Sequence, residues 1–308
     1  MRRVFLSIFV LCACCFCKAQ SSSVSSRKSL ADAFIRPGAY QLVTSVSDVD
    51  INIPQIADRA INKDLFVVAI GNEKYFDGSI PSAKYASNDV STFVEYCQQT
   101  LGVPKDQIHK LENATLNQLK YELNWLKSVA SVYDGNAKFI LYYAGHGIPD
   151  EVSKVSYILP ADCYVNDLST AYSLEELYTS LCSLETNNVL VFLDACFSGK
   201  SRNGAFLTAS RGVAIKPKSY TPQKESLLVL SATQNDETAY PYEDQQHGLF
   251  TYFLLKKLQS TPNALTIKEL SEYVIENVKR SSIVINGKPQ TPTIITSNKQ
   301  LWEDFRLK

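Results

Sequence analysis

Two side chains in this sequence could carry out nucleophilic chemistry near neutral pH if the fold brought them together: Cys196 and His146, fifty positions apart. A cysteine attacks as its thiolate, and a nearby imidazole supplies the base or the counter-charge. Each residue follows an apolar run. Val189 to Leu193 leads into Asp194-Ala195-Cys196-Phe197-Ser198-Gly199, and Lys138 to Tyr143 leads into Ala144-Gly145-His146-Gly147. Short runs rich in branched and aromatic residues, closed by turn residues, read as strands buried on both faces. Open α/β sheets build their sites at the carboxyl ends of such strands, which puts the sulfur and the imidazole on one rim. Gly145 and Gly147 let a peptide backbone approach. The N–H groups of Gly147 and Cys196 could then face a developing oxyanion. Taken singly, a turn histidine and a packed cysteine would be unremarkable; each at a strand end in a glycine-containing turn, they point to a site. The other two histidines compete poorly. His109 has charged neighbours in a short strand and reads as a surface residue, and His247, just before Gly248, reads as a cap or a loop contact.

The elements needed to position this pair are legible. Leu65–Ile70, Gln107–Leu111, Lys138–Tyr143, Val189–Leu193, Leu227–Ser231 and Thr293–Thr296 read as strands, with a brief extended piece at Tyr157–Pro160. Pro292, just before the last strand, marks it as an edge. Helical spacing appears over Ser82–Gln99, in the stripe Leu116, Leu119, Leu123, Leu126, Ala130, in Leu174, Leu177, Leu181, over Gly248–Leu258, and in Ile267, Leu270, Val274, Val278. Thr115 with Gln118, Ser173 with Glu176 and Thr266 with Glu269 are N-terminal capping signatures. Strands alternating with helices give an α/β domain, a mostly parallel sheet with helices on both faces. Its extent is residues 64–303, interrupted at 200–225 by a polar stretch that is long for a loop in a compact domain.

Lys plus Arg and Asp plus Glu balance at 31 each, which gives no basic footprint for nucleic acid. Gly71-Asn72-Glu73, after the first strand, is not a glycine-rich phosphate loop, so a nucleotide-binding reading fails. No run of alternating Asp or Asn with ligand spacing argues for a metal, and no cofactor is expected. Residues 1–19 have Arg2 and Arg3 before an apolar stretch too short to span a bilayer, and small residues before Gln20, the pattern of a cleaved secretory signal peptide. The expectation is an exported chain without a transmembrane helix. A lipid-anchored form stays open, because Leu11-Cys12-Ala13-Cys14 loosely matches a lipobox. Residues 20–63 read as a linker or pro-segment with one or two short ordered pieces. Of the four cysteines beyond the leader, Cys97 and Cys182 fall on apolar helix faces and read as buried small hydrophobes; Cys163 stays open.

The stretches YYAGHG and LDACFSG resemble the two signatures of the caspase-like cysteine peptidases, clan CD, family C14, in the form seen in metacaspases and bacterial caspase homologues. The resemblance runs from about Leu65 to Ser297 and includes Asn88-Asp89 and the stretch SATQNDETAYPYEDQQHGLFTYFLLKKL. It implies the caspase-like fold around a six-stranded sheet and an endopeptidase acting through an acyl-enzyme. It also implies His146 as general acid/base, Cys196 as nucleophile, and Gly147 and Cys196 as oxyanion donors. Acidic residues matching Asp89 and Asp194 line the substrate side-chain pocket in metacaspase-like members. Two carboxylates in a partly dry pocket call for a cation, so Arg or Lys is expected before the scissile bond. Ala144 stands where related proteins often carry a Ser, and Glu243 or Asp244 is a candidate third carboxylate. Lys200, Arg202, Arg211, Lys218 and Lys224 are candidate self-cleavage positions for an enzyme of this preference. Calcium dependence occurs in the family, but no residue here argues for it. The implied partners are peptide or protein substrates. The competing reading is a binding or scaffold protein that keeps the fold without the chemistry.

Overall fold

A computed structural model describes residues 46–56, 61–199, 201–202, 207, 226–234, 237–261, 265–296 and 299–307. All lie in one unit, Ser45–Lys308. The leader expected at 1–19 and the self-cleavage candidates Lys200, Arg211, Lys218 and Lys224 lie outside the described residues.

The centre is a six-stranded sheet built from β1 (Leu65–Gly71), β2 (Ile108–Glu112), β3 (Lys138–Ala144), β7 (Val189–Asp194), β8 (Leu227–Ser231) and β11 (Thr293–Thr296). Across the sheet the order is β11-β8-β7-β3-β1-β2. Neighbours are parallel except β11, which pairs antiparallel with β8 at the edge after Pro292. β1, β7 and β8 are buried at every position, which is why they read as unbroken apolar runs rather than alternating ones. Two apolar layers cover the sheet. On one face α1 (Ala86–Gln99), α4 (Leu249–Ser260) and α5 (Ile267–Asn286) bring Phe93, Leu254 and Val274 against Val67, Tyr142 and Phe192. On the other, α2 (Leu116–Val132) and α3 (Leu174–Cys182) bring Leu126 and Leu181 against Val68, Leu141 and Val191. A short α6 (Lys299–Asp304) follows β11.

The capping signatures are formed. Thr115 with Gln118 and Thr266 with Glu269 make reciprocal capping boxes, and the Ser173 hydroxyl accepts the Glu176 N–H. Smaller elements also form, of which the sequence reading foresaw only the extended piece at Tyr157–Pro160. β4 (Gly147–Pro149), β5 (Ser156–Ile158) and β6 (Tyr172–Ser173) form a three-stranded antiparallel sheet just beyond the end of β3, and β9 (Pro241–Tyr242) pairs with β10 (His247–Gly248). Residues 46–56, within the expected linker, pack on α1: Val49 is fully buried, Tyr96 Oη donates to its carbonyl at 2.9 Å, and Ile56 N donates to Gln99 O at 2.7 Å.

The carboxyl ends of β1 and β3 are tied together by Asn72, which is 1% exposed. Its backbone N–H donates to Ala144 O at 2.8 Å. Its side chain accepts from Ala114 N at 2.7 Å and donates to Leu159 O at 2.9 Å. Replacing it with alanine leaves the Ala114 N–H and the Leu159 carbonyl buried without those partners. Asn72→Ala is therefore expected to cost about 2–4 kcal/mol in urea unfolding, far above a typical surface change.

Candidate active site

The register between β3 and β7 sets the geometry. Ala144 lies directly opposite Asp194, so both chains leave the sheet at the same level, and His146 and Cys196 each follow two residues later. Gly145 N donates to Asp194 O at 3.2 Å, which joins the two turns. Their contact is tight enough to require a glycine: a Cβ on Gly147 would lie 2.9 Å from Cys196 O and 2.5 Å from the Phe197 ring.

His146 is 1% exposed and fixed on every side. Its backbone N–H donates to Tyr75 Oη at 2.9 Å, and its carbonyl accepts from Leu159 N at 3.1 Å and Tyr143 Oη at 2.8 Å. The Tyr75 ring stacks on the imidazole at 5.3 Å. Nε2 lies 2.8 Å from Pro81 O. A carbonyl only accepts, so Nε2 carries the hydrogen and Nδ1 carries the lone pair. Nδ1 is buried and has no hydrogen-bond partner among the described residues. Burial holds the imidazole down at about 4; the hydrogen bond to Pro81 O opposes it, and the Arg202 guanidinium adds a smaller downward push. Burial likewise pushes the Cys196 thiol up, although Ala239 and Ser198 beside it pull the other way. The resting pair is a neutral thiol and a neutral imidazole.

Gly147 opens β4. Because Leu159 N donates to His146 O, Gly147 and Ile158 form a non-hydrogen-bonded pair of the antiparallel ladder, which leaves the Gly147 N–H unused by it.

Asp89 and Asp194 come together at the amino end of α4. Gly248, the N-cap, has no capping side chain, and the two carboxylates take over that task. Gly248 N donates to Asp89 Oδ1 at 3.0 Å, and Thr251 N and Oγ1 donate to Asp194 Oδ2 at 3.2 and 2.6 Å. A Cβ on Gly248 would sit 2.2 Å from Asp194 Oδ2, so only glycine admits that carboxylate. Both aspartates are 0% exposed. Between them lies the guanidinium of Arg202: Nη1 is 3.0 Å from Asp89 Oδ2 and Nη2 is 3.4 Å from Asp194 Oδ1. Burial pushes the Asp194 carboxyl up, and Arg202 offsets part of that shift.

Two residues in this network, His247 and Asp50, were not foreseen as site components. His247 is completely buried, with Nδ1 2.8 Å from Asp89 Oδ1 and Nε2 2.9 Å from Asp50 Oδ1. Carboxylates accept only, so both ring nitrogens carry hydrogen and the ring is an imidazolium. Burial opposes that charge, but Asp50 and Asp89 outweigh it and raise the ring to about 9. His247 is thus a buried ion rather than the cap or loop contact expected of it. Asp50 is a third carboxylate of this network, and no local pattern marked it. Glu243 is instead exposed and paired with Lys84, and Asp244 is exposed. Pro81 and Tyr75, which orient His146, carried no signal beyond an aromatic and a proline in a loop.

The remaining candidates have structural roles. His109 stacks on Trp125 at 3.7 Å and pairs with Glu122. Cys97 is buried as expected, whereas Cys182 is only half-buried. Cys163 packs with Ile80, Ile148 and Leu159, and burial pushes its thiol up to about 12. No disulfide joins the described cysteines, and no group of three or more His, Cys, Asp or Glu side chains among the described residues is arranged to hold a metal. No helix among those residues is long and apolar enough to cross a membrane.

The His247 ion gives a signed expectation. A ring whose pKa is raised in the fold contributes stability that is fully present below its unfolded value, near 6.5, and lost as pH rises through about 9. Urea unfolding between pH 6 and pH 9.5 should lose up to about 3 kcal/mol on this account, and His247→Gln should flatten that decline.

Comparison with known proteins agrees with this architecture. A search of curated proteins finds no significant match. Among solved structures the fold is similar to that of caspase-1 from Spodoptera frugiperda, with a TM-score of 0.52 at 16% identity, over 80% of this chain and 94% of that one. The profile of the Peptidase C14 caspase domain matches residues 65–301. A mostly parallel six-stranded sheet, helices on both faces and a family match over most of its length identify this chain as a member of the caspase-domain peptidase family C14.

Proposed function

We propose that the chain is an exported cysteine endopeptidase that cuts after Arg or Lys. The observation that carries the peptidase reading is the state of His146. Its Nε2–H is committed to Pro81 O, and its Nδ1 lone pair is unused in the turn next to Cys196. From a neutral pair, Nδ1 accepts the Sγ proton as the sulfur attacks the peptide carbonyl carbon. The tetrahedral oxyanion is met by the N–H groups of Gly147 and Cys196. Imidazolium then returns the proton to the leaving amine, which gives a thioester. Water, deprotonated by the same Nδ1, hydrolyses the thioester and restores the thiol.

The basic preference follows from Asp89 and Asp194, buried side by side where a cation is needed to offset them. A pocket for Asp would require cations in their place. Self-processing within 200–225 belongs to the same reading, because that stretch offers the basic residues the pocket would accept. Export rests on the leader pattern of residues 1–19.

Fluorogenic peptides ending in Arg, Lys or Asp test the reading, assayed before and after limited proteolysis of the 200–225 loop. Turnover of the Arg or Lys peptides is expected, and Cys196→Ala should reduce it by at least about 10⁴-fold and His146→Ala by at least about 10³-fold. The neutral imidazole should keep kcat/KM nearly level from pH 7 down to about 5, because the base is lost only as pH falls towards about 4. Hydrolysis of the Asp peptide alone would remove the basic preference. Silence toward all three peptides in both states would favour the scaffold reading.

A further inference from the structure

Arg202, the one expected cleavage point that lies among the described residues, is 2% exposed. It stands six positions after Cys196, inside a loop closed at its base by Leu207 N donating to Gly199 O at 2.9 Å. Leu207 itself packs with Ile80, Ile148 and Leu159.

The guanidinium meets four acceptors. Nη1 donates to Lys84 O at 2.7 Å and Asp89 Oδ2 at 3.0 Å. Nη2 lies 3.4 Å from both Asp194 O and Asp194 Oδ1. These are the carboxylates that the proposed reaction assigns to the substrate side chain. Two features distinguish the contact from an optimised structural ion pair. Arg202 Nε and Asp194 Oδ1 are both buried without a hydrogen bond among the described residues. A permanently buried ion triad tends to satisfy every donor and acceptor, because each omission carries a desolvation cost. The Asp89 side of the pocket is meanwhile complete without Arg202, held by His247 and Gly248 N.

We propose that Arg202 is a resident pseudosubstrate: its side chain fills, from within the chain, the pocket that Asp89 and Asp194 form for the residue before the scissile bond, and the protein is latent until that side chain withdraws. The proposal rests on the peptidase reading for the meaning of the pocket, but not for its occupancy. It also sharpens the substrate class. Acceptors grouped around two separate nitrogens fit a planar guanidinium, whereas a lysine ammonium presents a single nitrogen and cannot serve both groups. Arginine is therefore preferred over lysine.

Two measurements separate this from a failure of the peptidase reading. The first uses the Cys196→Ala background, where no turnover is required. Cys196→Ala/Arg202→Ala is expected to melt at least about 5 °C below Cys196→Ala, as two buried carboxylates lose their cation. Millimolar agmatine should recover most of that loss, n-butylamine much less, and neither should stabilise Cys196→Ala itself. Should the double variant not fold unaided, refolding in agmatine reports the same property: recovery with agmatine and not butylamine supports the proposal, and recovery with neither overturns it. The second uses the intact sulfur. Arg202→Ala should hydrolyse the Arg peptide without loop proteolysis, with KM at least about 10-fold below that of the uncut parent and Lys turned over less well. Equal KM in the uncut parent and Arg202→Ala, with Cys196-dependent turnover in both, overturns the pseudosubstrate while leaving the peptidase standing. Agmatine rescue without turnover in any state leaves the occupancy standing and removes the peptidase.

Discussion

Everything at the rim depends on the level pairing of β3 with β7. Ala144 opposite Asp194 puts the ends of two buried strands side by side, and the next residues of each then turn out of the sheet together. A slip of one residue would reverse which side chains face each apolar layer. The register is therefore held by both cores at once, through Tyr142 and Phe192 on one face and Leu141 and Val191 on the other. The positions of His146 and Cys196 are thus inherited from packing far larger than the site. Tyr75, Tyr143 and Pro81 refine only orientation, and they do so through the backbone and ring of His146.

A second layer of organisation is electrostatic. Asp89 and Asp194 are brought together with His247 and Arg202 in a region almost without solvent, and Asp50, half-buried, closes its outer side. The amino end of α4 makes this possible, since its unpaired N–H groups already favour negative charge. His247 links the strap of residues 46–56 to Asp89 through Asp50. A segment that looked like linker thereby becomes part of the ion cluster's support. Of the two cations, only His247 lies inside a regular element of the fold; Arg202 arrives on the segment that leaves β7.

The difference between these layers explains what the sequence made legible. β1, β3, β7 and β8 are continuous apolar runs, and the helix starts at Thr115, Ser173 and Thr266 carry their own capping partners three residues on. These are local signals, and they sufficed for the sheet and its helices. β4, β6, β9 and β10 are two or three residues long, too short to display any period. The helix anticipated from Ser82 begins at Ala86, because the residues before it serve as a loop that presents the Pro81 carbonyl to His146. Asp50, His247 and Arg202 are ordinary polar residues in ordinary polar surroundings along the chain. Only tertiary folding brings them against partners 113 or more positions away, Asp89 for Arg202 and His247, and His247 for Asp50. A buried ion cluster has no one-dimensional signature.

The protonated resting state of the sulfur has a chemical corollary of its own. Peroxides and disulfides react with thiolates far faster than with thiols, and oxidation beyond the sulfenic state is largely irreversible. At 2% exposure and with its pKa raised by burial, Cys196 offers such reagents little anion and little access. Both features slow the consumption of the sulfur by such reagents. In the proposed reaction the sulfur gives up its proton to the imidazole only as it attacks a bound carbonyl.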